Sequence, residues 1–290
     1  MQNTSLERLK LYAQLTRLNR PIGWLLVLWP TLWGLWLASG GFPKLDLLII
    51  YTLGAITMRS AGCVINDFAD RNLDGHVKRT QDRPLATGKI TLSEAWAVFA
   101  ALVCIAFILV LLTNTLTLWL AFGGLALACT YPFMKRYTHL PQVVLGAAFA
   151  WGIPMAFASA RNTVPAEAWL IYFTVLIWTV VYDTFYAMVD RDDDVRVGIK
   201  STAVLFGDQD RLITATLQAL VILGLLMMKS RFELNDLYYL GVATAAGLFI
   251  YQQKLIRYRQ RGPCFKAFLN NNWVGMAVFT GIVLSTLNIN

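Results

Sequence analysis

The chain has 290 residues, of which 57% are hydrophobic and only 14% charged, and its net charge is +8. A soluble domain carries about 25% charged residues. This composition, with a mean hydropathy of +0.53, excludes an ordinary soluble fold and indicates an integral membrane protein. The positive charge is not a nucleic-acid signal, because the basic residues cluster between apolar runs and form no tract interleaved with aromatics.

The opening segment, MQNTSLERLKLYAQLTRLNRP, is basic and amphipathic and lacks the apolar core of a secretory signal, so no cleaved leader is expected. Apolar runs of spanning length follow at 21–38, 46–66, 94–113, 117–134, 140–159, 166–186, 211–228, 236–252 and 268–288. About 20 apolar residues cross the hydrocarbon as a helix. None of the runs alternates with period two as barrel strands do. Nine transmembrane helices in a single domain, 1–290, are therefore expected. The links around Asn114 and between Lys135 and His139 are short enough to make tight helical hairpins. Cys63, Cys104, Cys129 and Cys264 lack metal-type spacing, and His76 and His139 stand alone, so no cysteine or histidine metal site is expected.

Nine spans sort the charges by side. With the N-terminus inside, the inner segments hold most of the Lys and Arg, from Arg8, Lys10, Arg17 and Arg20 through the 71–89, 135–136 and 191–211 segments to 254–266. The outer segments hold only Lys44, Arg161, Lys229 and Arg231. This bias places the N-terminus in the cytoplasm and the C-terminus in the periplasm.

Two acidic stretches stand out on the inner side. The first runs from Asn66 through Asp70 to Asp74, and the second from Tyr186 through Asp190 to Asp194. Asp70 and Asp190 differ by 120 in number, as do Asp74 and Asp194, which suggests a parallel duplication of spans one to four in spans five to eight. Carboxylates four apart share a helix face and repel, by roughly 0.2–0.5 kcal/mol even when exposed. Twice in one chain, such pairs ask for a cation. Carboxylate oxygens are the hard ligands of Mg²⁺, which usually takes one or two of them with phosphate completing its shell. Asp70, Asp74, Asp190 and Asp194 are the candidate ligands. Asn66 offers an amide one turn before Asp70, and Tyr186 holds the equivalent place in the second stretch. Asp183 lies further along that helix toward hydrocarbon. Asp67, Asp192 and Asp193 are read as pointing away.

Basic residues in the same loops suit a diphosphate: Lys78, Arg79 and Arg83, then Lys135 and Arg136, then Lys200. The plainer reading makes each a residue of the positive inner surface. Arg59, two turns above Asn66 within the second span, needs an anion or a structural partner such as a backbone carbonyl. The aromatics belong either to interfacial belts or to the lining of a tunnel for an apolar chain.

The blocks RPIGWLLVLWPTLW, RSAGCVINDFADRNLDGHVKRTQDRPL, YPFMKRYTHLPQVVLG, YDTFYAMVDRDDDVRVGIKSTAVLFG and YQQKLI make the chain resemble the UbiA superfamily of intramembrane aromatic prenyltransferases over essentially its full length. KRYTHLPQ and YAMVDRDDD resemble the hydroxybenzoate branch. The resemblance implies a nine-span helical bundle around a central cavity in the cell inner membrane. It implies Mg²⁺ and prenyl diphosphate held by Asn66, Asp70 and Asp74 with Asp190 and Asp194. Arg136 matches an arginine that the family uses near its substrates, and Arg17 a basic position thought to contact a substrate anion. The implied reaction, in ubiquinone biosynthesis, moves a polyprenyl group from its diphosphate to the 4-hydroxybenzoate ring carbon ortho to the hydroxyl. Diphosphate or a carboxylate such as Asp190 would take the ring proton. Another aromatic acceptor is the nearer alternative. A transporter, which would want acidic residues near the bilayer midplane, is the more distant one.

Overall fold

The computed structural model describes residues 5–71, 74–76 and 80–287, and every regular element among them is helical. The helices are α1 (Ser5–Leu15), α2 (Ile22–Ser39), α3 (Leu45–Asp70), α4 (Leu92–Leu111), α5 (Thr115–Met134), α6 (Pro141–Ala150), α7 (Gly152–Arg161), α8 (Ala166–Val197), α9 (Thr202–Phe206), α10 (Asp210–Arg231), α11 (Tyr238–Leu255) and α12 (Arg261–Thr286).

All nine apolar runs are largely helical, and among the described residues eight helical segments meet the length and mean hydropathy of a membrane span outright. The exception is α11. Its 18 residues pack along α12. Tyr238 and Tyr239 at one end, and Gln252, Gln253 and Lys254 at the other, cut its apolar stretch short. Two other differences matter more. The helices α3 and α8 do not stop where their apolar runs stop. The 32 residues of α8 span about 48 Å at 1.5 Å per residue, against a hydrocarbon thickness of about 30 Å. The second acidic stretch, still helical, falls in the length of α8 that exceeds this thickness.

The bundle centre is α8, with 67% of its apolar window buried, whereas α4 and α5 are apolar all round and only 11% buried, as lipid-facing helices are. Three consecutive asparagines on α12 fasten the middle. Successive residues on a helix turn by about 100°, so each points to a different neighbour. Asn270 accepts from Gln252 on α11 at 2.9 Å, Asn271 from the Trp178 indole on α8 at 2.8 Å, and Asn272 from the Trp29 indole on α2 at 2.9 Å. Trp33, one turn along α2, stacks on Trp178 with centroids 5.3 Å apart and donates to the Gly275 carbonyl at 3.0 Å. A Cβ at Gly275 would come within 2.7 Å of Trp29, so the close approach of α2 to α12 requires glycine there. These tryptophans tie helices together, a use that the belt and tunnel readings of the sequence omit.

Replacing Asn271 by Leu keeps the branched shape but leaves the buried Trp178 N–H without its acceptor. The expected cost is about 1–2 kcal/mol, seen as a lower thermal midpoint in detergent. Thr280→Ala, on an exposed part of α12, is expected to leave the midpoint unchanged.

Candidate functional site

The ends of α3 and α8 meet the α1–α2 turn, the segment after the first acidic stretch and the link between α5 and α6 around a polar cavity of about 520 Å³. Asn66, Asp70 and Asp74 line it from one side, and Tyr186, Asp190 and Asp194 from α8. Arg17, Arg59, Lys135 and Lys200 complete the set of sequence-selected residues that it gathers. Lys78 and Arg79 lie outside the described residues. Arg136 is exposed and does not line the cavity.

The four principal carboxylates are only 4–8% exposed. Asp190 and Asp194 keep the expected shared face of α8. The first pair does not: α3 ends at Asp70, and Asp74 sits in a separate 3-10 turn with Gly75 and His76. Asn66 donates to Asp70 Oδ2 at 3.2 Å. Asp70 Oδ1 accepts no aligned hydrogen bond and is ion-paired to Lys135. Arg83 Nη1 donates to both carboxylate oxygens of Asp74, at 2.9 and 3.0 Å. Burial, opposed by Arg83 and assisted by Asp70 and Asp67, pushes the Asp74 carboxyl up to about 6.

Asp67 corrects the expectation that it points away. It is 1% exposed, accepts from Arg17 Nη2 on both oxygens at 2.8 and 2.9 Å, and pairs with Arg83 at 3.0 Å. The signal was in the spacing: Asp67 is three residues before Asp70, and i, i+3 positions are helix neighbours just as i, i+4 positions are. Arg17 reaches it from a left-handed backbone, φ 58°, in the turn between α1 and α2. Asp67 and Arg83 are thus site residues that the sequence selection ranked too low. Asp192 and Asp193 do face away. Arg261 forks onto Asp193 at 2.9 and 3.2 Å and lies 3.6 Å from Asp192.

Arg59 stands at a junction. It lines both the polar cavity and an apolar one of about 190 Å³ between α2, α3, α4 and α5, with Tyr131 and Phe149 as the other shared residues. Its Nε donates to the Gly23 carbonyl at 3.3 Å, another nitrogen meets Cys63 Sγ, and the guanidinium sits 5.6 Å from the Phe149 ring centroid. Among the described residues no carboxylate is ion-paired with it. Lys200 donates to the Tyr137 carbonyl at 3.3 Å at the cavity rim.

The donor set tests whether a metal suits this place. Among the described residues, no three acidic, histidine or cysteine groups are close enough to hold an ion by themselves. Buried hard oxygens on two walls of an open, cation-lined cavity instead fit an ion that shares its shell with phosphate, as Mg²⁺ does.

Residues 27–276 match the model of the UbiA prenyltransferase family. The chain is 60% identical over 279 residues to a 4-hydroxybenzoate octaprenyltransferase of Saccharophagus degradans, covering 96% of this chain and 93% of the relative. A protein of the same description from Pseudomonas aeruginosa is 59% identical over 272 residues, 94% and 92% of the two chains. Among solved structures, the apo UbiA homolog from Aeropyrum pernix K1 superposes with a TM-score of 0.80 at 27% identity, over 90% of this chain and 97% of that one. The UbiA homolog from Archaeoglobus fulgidus bound to GPP and Mg²⁺ shares the fold, with a TM-score of 0.73 at 18% identity, over 96% and 100%. This multi-pass membrane chain belongs to the UbiA prenyltransferase family.

Proposed function

We propose that the protein transfers a polyprenyl group, octaprenyl by analogy with its relatives, from the diphosphate to the ring carbon of 4-hydroxybenzoate ortho to the hydroxyl, for ubiquinone biosynthesis. The observation that carries this is the convergence of both acidic stretches on one polar cavity that adjoins an apolar one. A diphosphate head and an isoprenoid tail need that pairing of environments.

Asp70, Asp74, Asp190 and Asp194 would hold Mg²⁺, which when bound neutralises diphosphate charge and steadies the leaving group. Arg17, Arg83, Lys135 and Lys200 supply further cations. As the allylic C–O bond breaks, negative charge grows on the diphosphate, and cations aimed there lower the barrier. Arg83 and Lys135 already rest on the carboxylates of the first stretch, so an arriving phosphate can exchange with those carboxylates without any cation having to be brought from solvent. Arg59, without a carboxylate of its own and facing both cavities, is placed to take the carboxylate of the acceptor. Tyr131 and Phe149 wall the junction where an allylic cation would form away from water. The activated ring carbon attacks it, and diphosphate or Asp190 takes the ring proton. Asn66 and Tyr186 would contact the head group beside the ion.

The orientation belongs to the same proposal: inner membrane, N-terminus and both acidic stretches cytoplasmic, C-terminus periplasmic. The distribution of basic residues supports it. A single domain built by parallel duplication is supported by the placement of the two acidic stretches at the ends of α3 and α8, the second helix of each four-span set.

In membranes supplied with labelled 4-hydroxybenzoate and a mixture of polyprenyl diphosphates, label should enter the organic phase with Mg²⁺ and not with chelator. Product with a different aromatic acceptor only would discard the substrate and keep the site. Asp70→Ala and Asp190→Ala are each expected to lower turnover by at least about a hundredfold, and near-normal turnover in either would contradict the assignment. The raised Asp74 carboxyl sets a pH dependence. Below about 6 a proton occupies it and competes with the metal. The Mg²⁺ concentration for half-maximal rate should be flat above that pH and rise as pH falls through it. The rise should be lost in Asp74→Asn, and a profile that Asp74→Asn leaves unchanged would remove Asp74 from the ligand set.

A further inference from the structure

Among the described residues, Arg136 is the selected residue that the cavity leaves out, and its contacts define a different job. Its guanidinium donates to the carbonyl of Ala69, the residue before Asp70, and lies 5.8 Å from the Phe133 ring centroid. Ala69 is in the last turn of α3, where four carbonyls have no intrahelical partner and the helix end is negative. An arginine there satisfies a carbonyl and offsets the dipole at the point where the first acidic stretch leaves the helix.

The neighbours of Arg136 reach both ways. Lys135 pairs through its ammonium with Asp70. The Lys135 carbonyl accepts from the backbone N–H of Lys200 at 3.2 Å, and the Tyr137 carbonyl accepts from the Lys200 ammonium. Lys200 lies just past Gly198, where α8 ends after the second stretch. A little further along, Gln142 at the start of α6 accepts from the Thr202 N–H at 3.1 Å. The link from Lys135 to Tyr137 is therefore bonded on one side to the end of α3 and on the other to the segment leaving α8.

We propose that this link sets the two acidic stretches in register, and that Arg136 serves the reaction as a positioning residue through Ala69 and Asp70, without touching the acceptor. This rests on the prenyl-transfer reading above. A residue that positions the first stretch affects whatever binds between the two stretches, before any acceptor is present. A residue that grips the acceptor carboxylate affects the acceptor alone.

The test uses the full-length protein in detergent, with Arg136→Gln and Arg136→Lys. Binding of geranyl thiolodiphosphate, which resists ionisation, is measured with Mg²⁺ and no acceptor, and KM is measured for both substrates. Arg136→Gln is expected to weaken the Mg²⁺-dependent binding of the analogue about tenfold, the weight of one hydrogen bond from a charged donor. Arg136→Lys, whose ammonium can still meet a carbonyl, is expected to recover most of that loss with an unchanged KM for 4-hydroxybenzoate. Unchanged analogue binding in Arg136→Gln would overturn the proposal, as would a raised acceptor KM seen with 4-hydroxybenzoate and absent with an acceptor that lacks the carboxylate. Since Arg136→Lys keeps the charge, its binding is informative even where Arg136→Gln folds poorly. If the wild type binds the analogue with Mg²⁺ yet prenylates no 4-hydroxybenzoate, the functional reading fails while the binding comparison still decides the role of Arg136.

Discussion

Carboxylates buried at the end of a membrane bundle dominate everything near them. An uncompensated buried charge costs several kcal/mol, so each aspartate dictates what stands beside it. Asp67 holds Arg17 and Arg83, Asp74 holds Arg83, and Asp70 holds Lys135. These pairs assemble the walls of the cavity from segments far apart in the chain: the turn before α2, the segment after α3 and the link after α5. The ligand-free site is thus an alternating set of anions and cations. A divalent ion and a diphosphate can enter it by exchanging partners, each new charge meeting one already placed.

Helix length makes this arrangement accessible. The acidic stretches stand where α3 and α8 outrun their apolar runs, at a level where a charged head group can arrive from water while an isoprenoid tail stays in hydrocarbon. The outward face of the second stretch is anchored separately. Arg191 and Arg259 both reach the fully buried Asp210 at the start of α10, and Arg261 forks onto Asp193. Arg191 and Asp193 flank the α8 face that carries Asp190 and Asp194, so the helix end is tied on both sides while that face lines the cavity.

Much of this was legible in the sequence, for physical reasons that can be named. Apolar runs marked the helices because hydrocarbon tolerates little else. Asp190 and Asp194 were read correctly as one face because α8 stays helical through them. Asp70 and Asp74 were not, because α3 stops between them and a local turn overrides the register. Of the nine expected spans, α11 is the least apolar, and its polar ends are satisfied by neighbours such as Gln218 and Asn270, which the sequence does not reveal as partners. Asp67 was set aside by attending to the four-residue spacing alone. Arg136 was selected as a basic residue of an inner loop and by family resemblance, and only the fold shows it on the Ala69 carbonyl, outside the cavity. The fastening of α12 by three asparagines also needed the structure, since NNN in a sequence names no partners.

The decisive experiment is a crystal or cryo-electron structure of the protein with Mn²⁺ in place of Mg²⁺ and geranyl thiolodiphosphate, the metal located by its anomalous or density signal. Metal density is expected between the diphosphate and the carboxylates of both stretches, with Arg83 and Lys135 turned onto phosphate oxygens and the geranyl chain running past Arg59 into the apolar cavity. Diphosphate bound without metal, or metal away from Asp70, Asp74, Asp190 and Asp194, would contradict it.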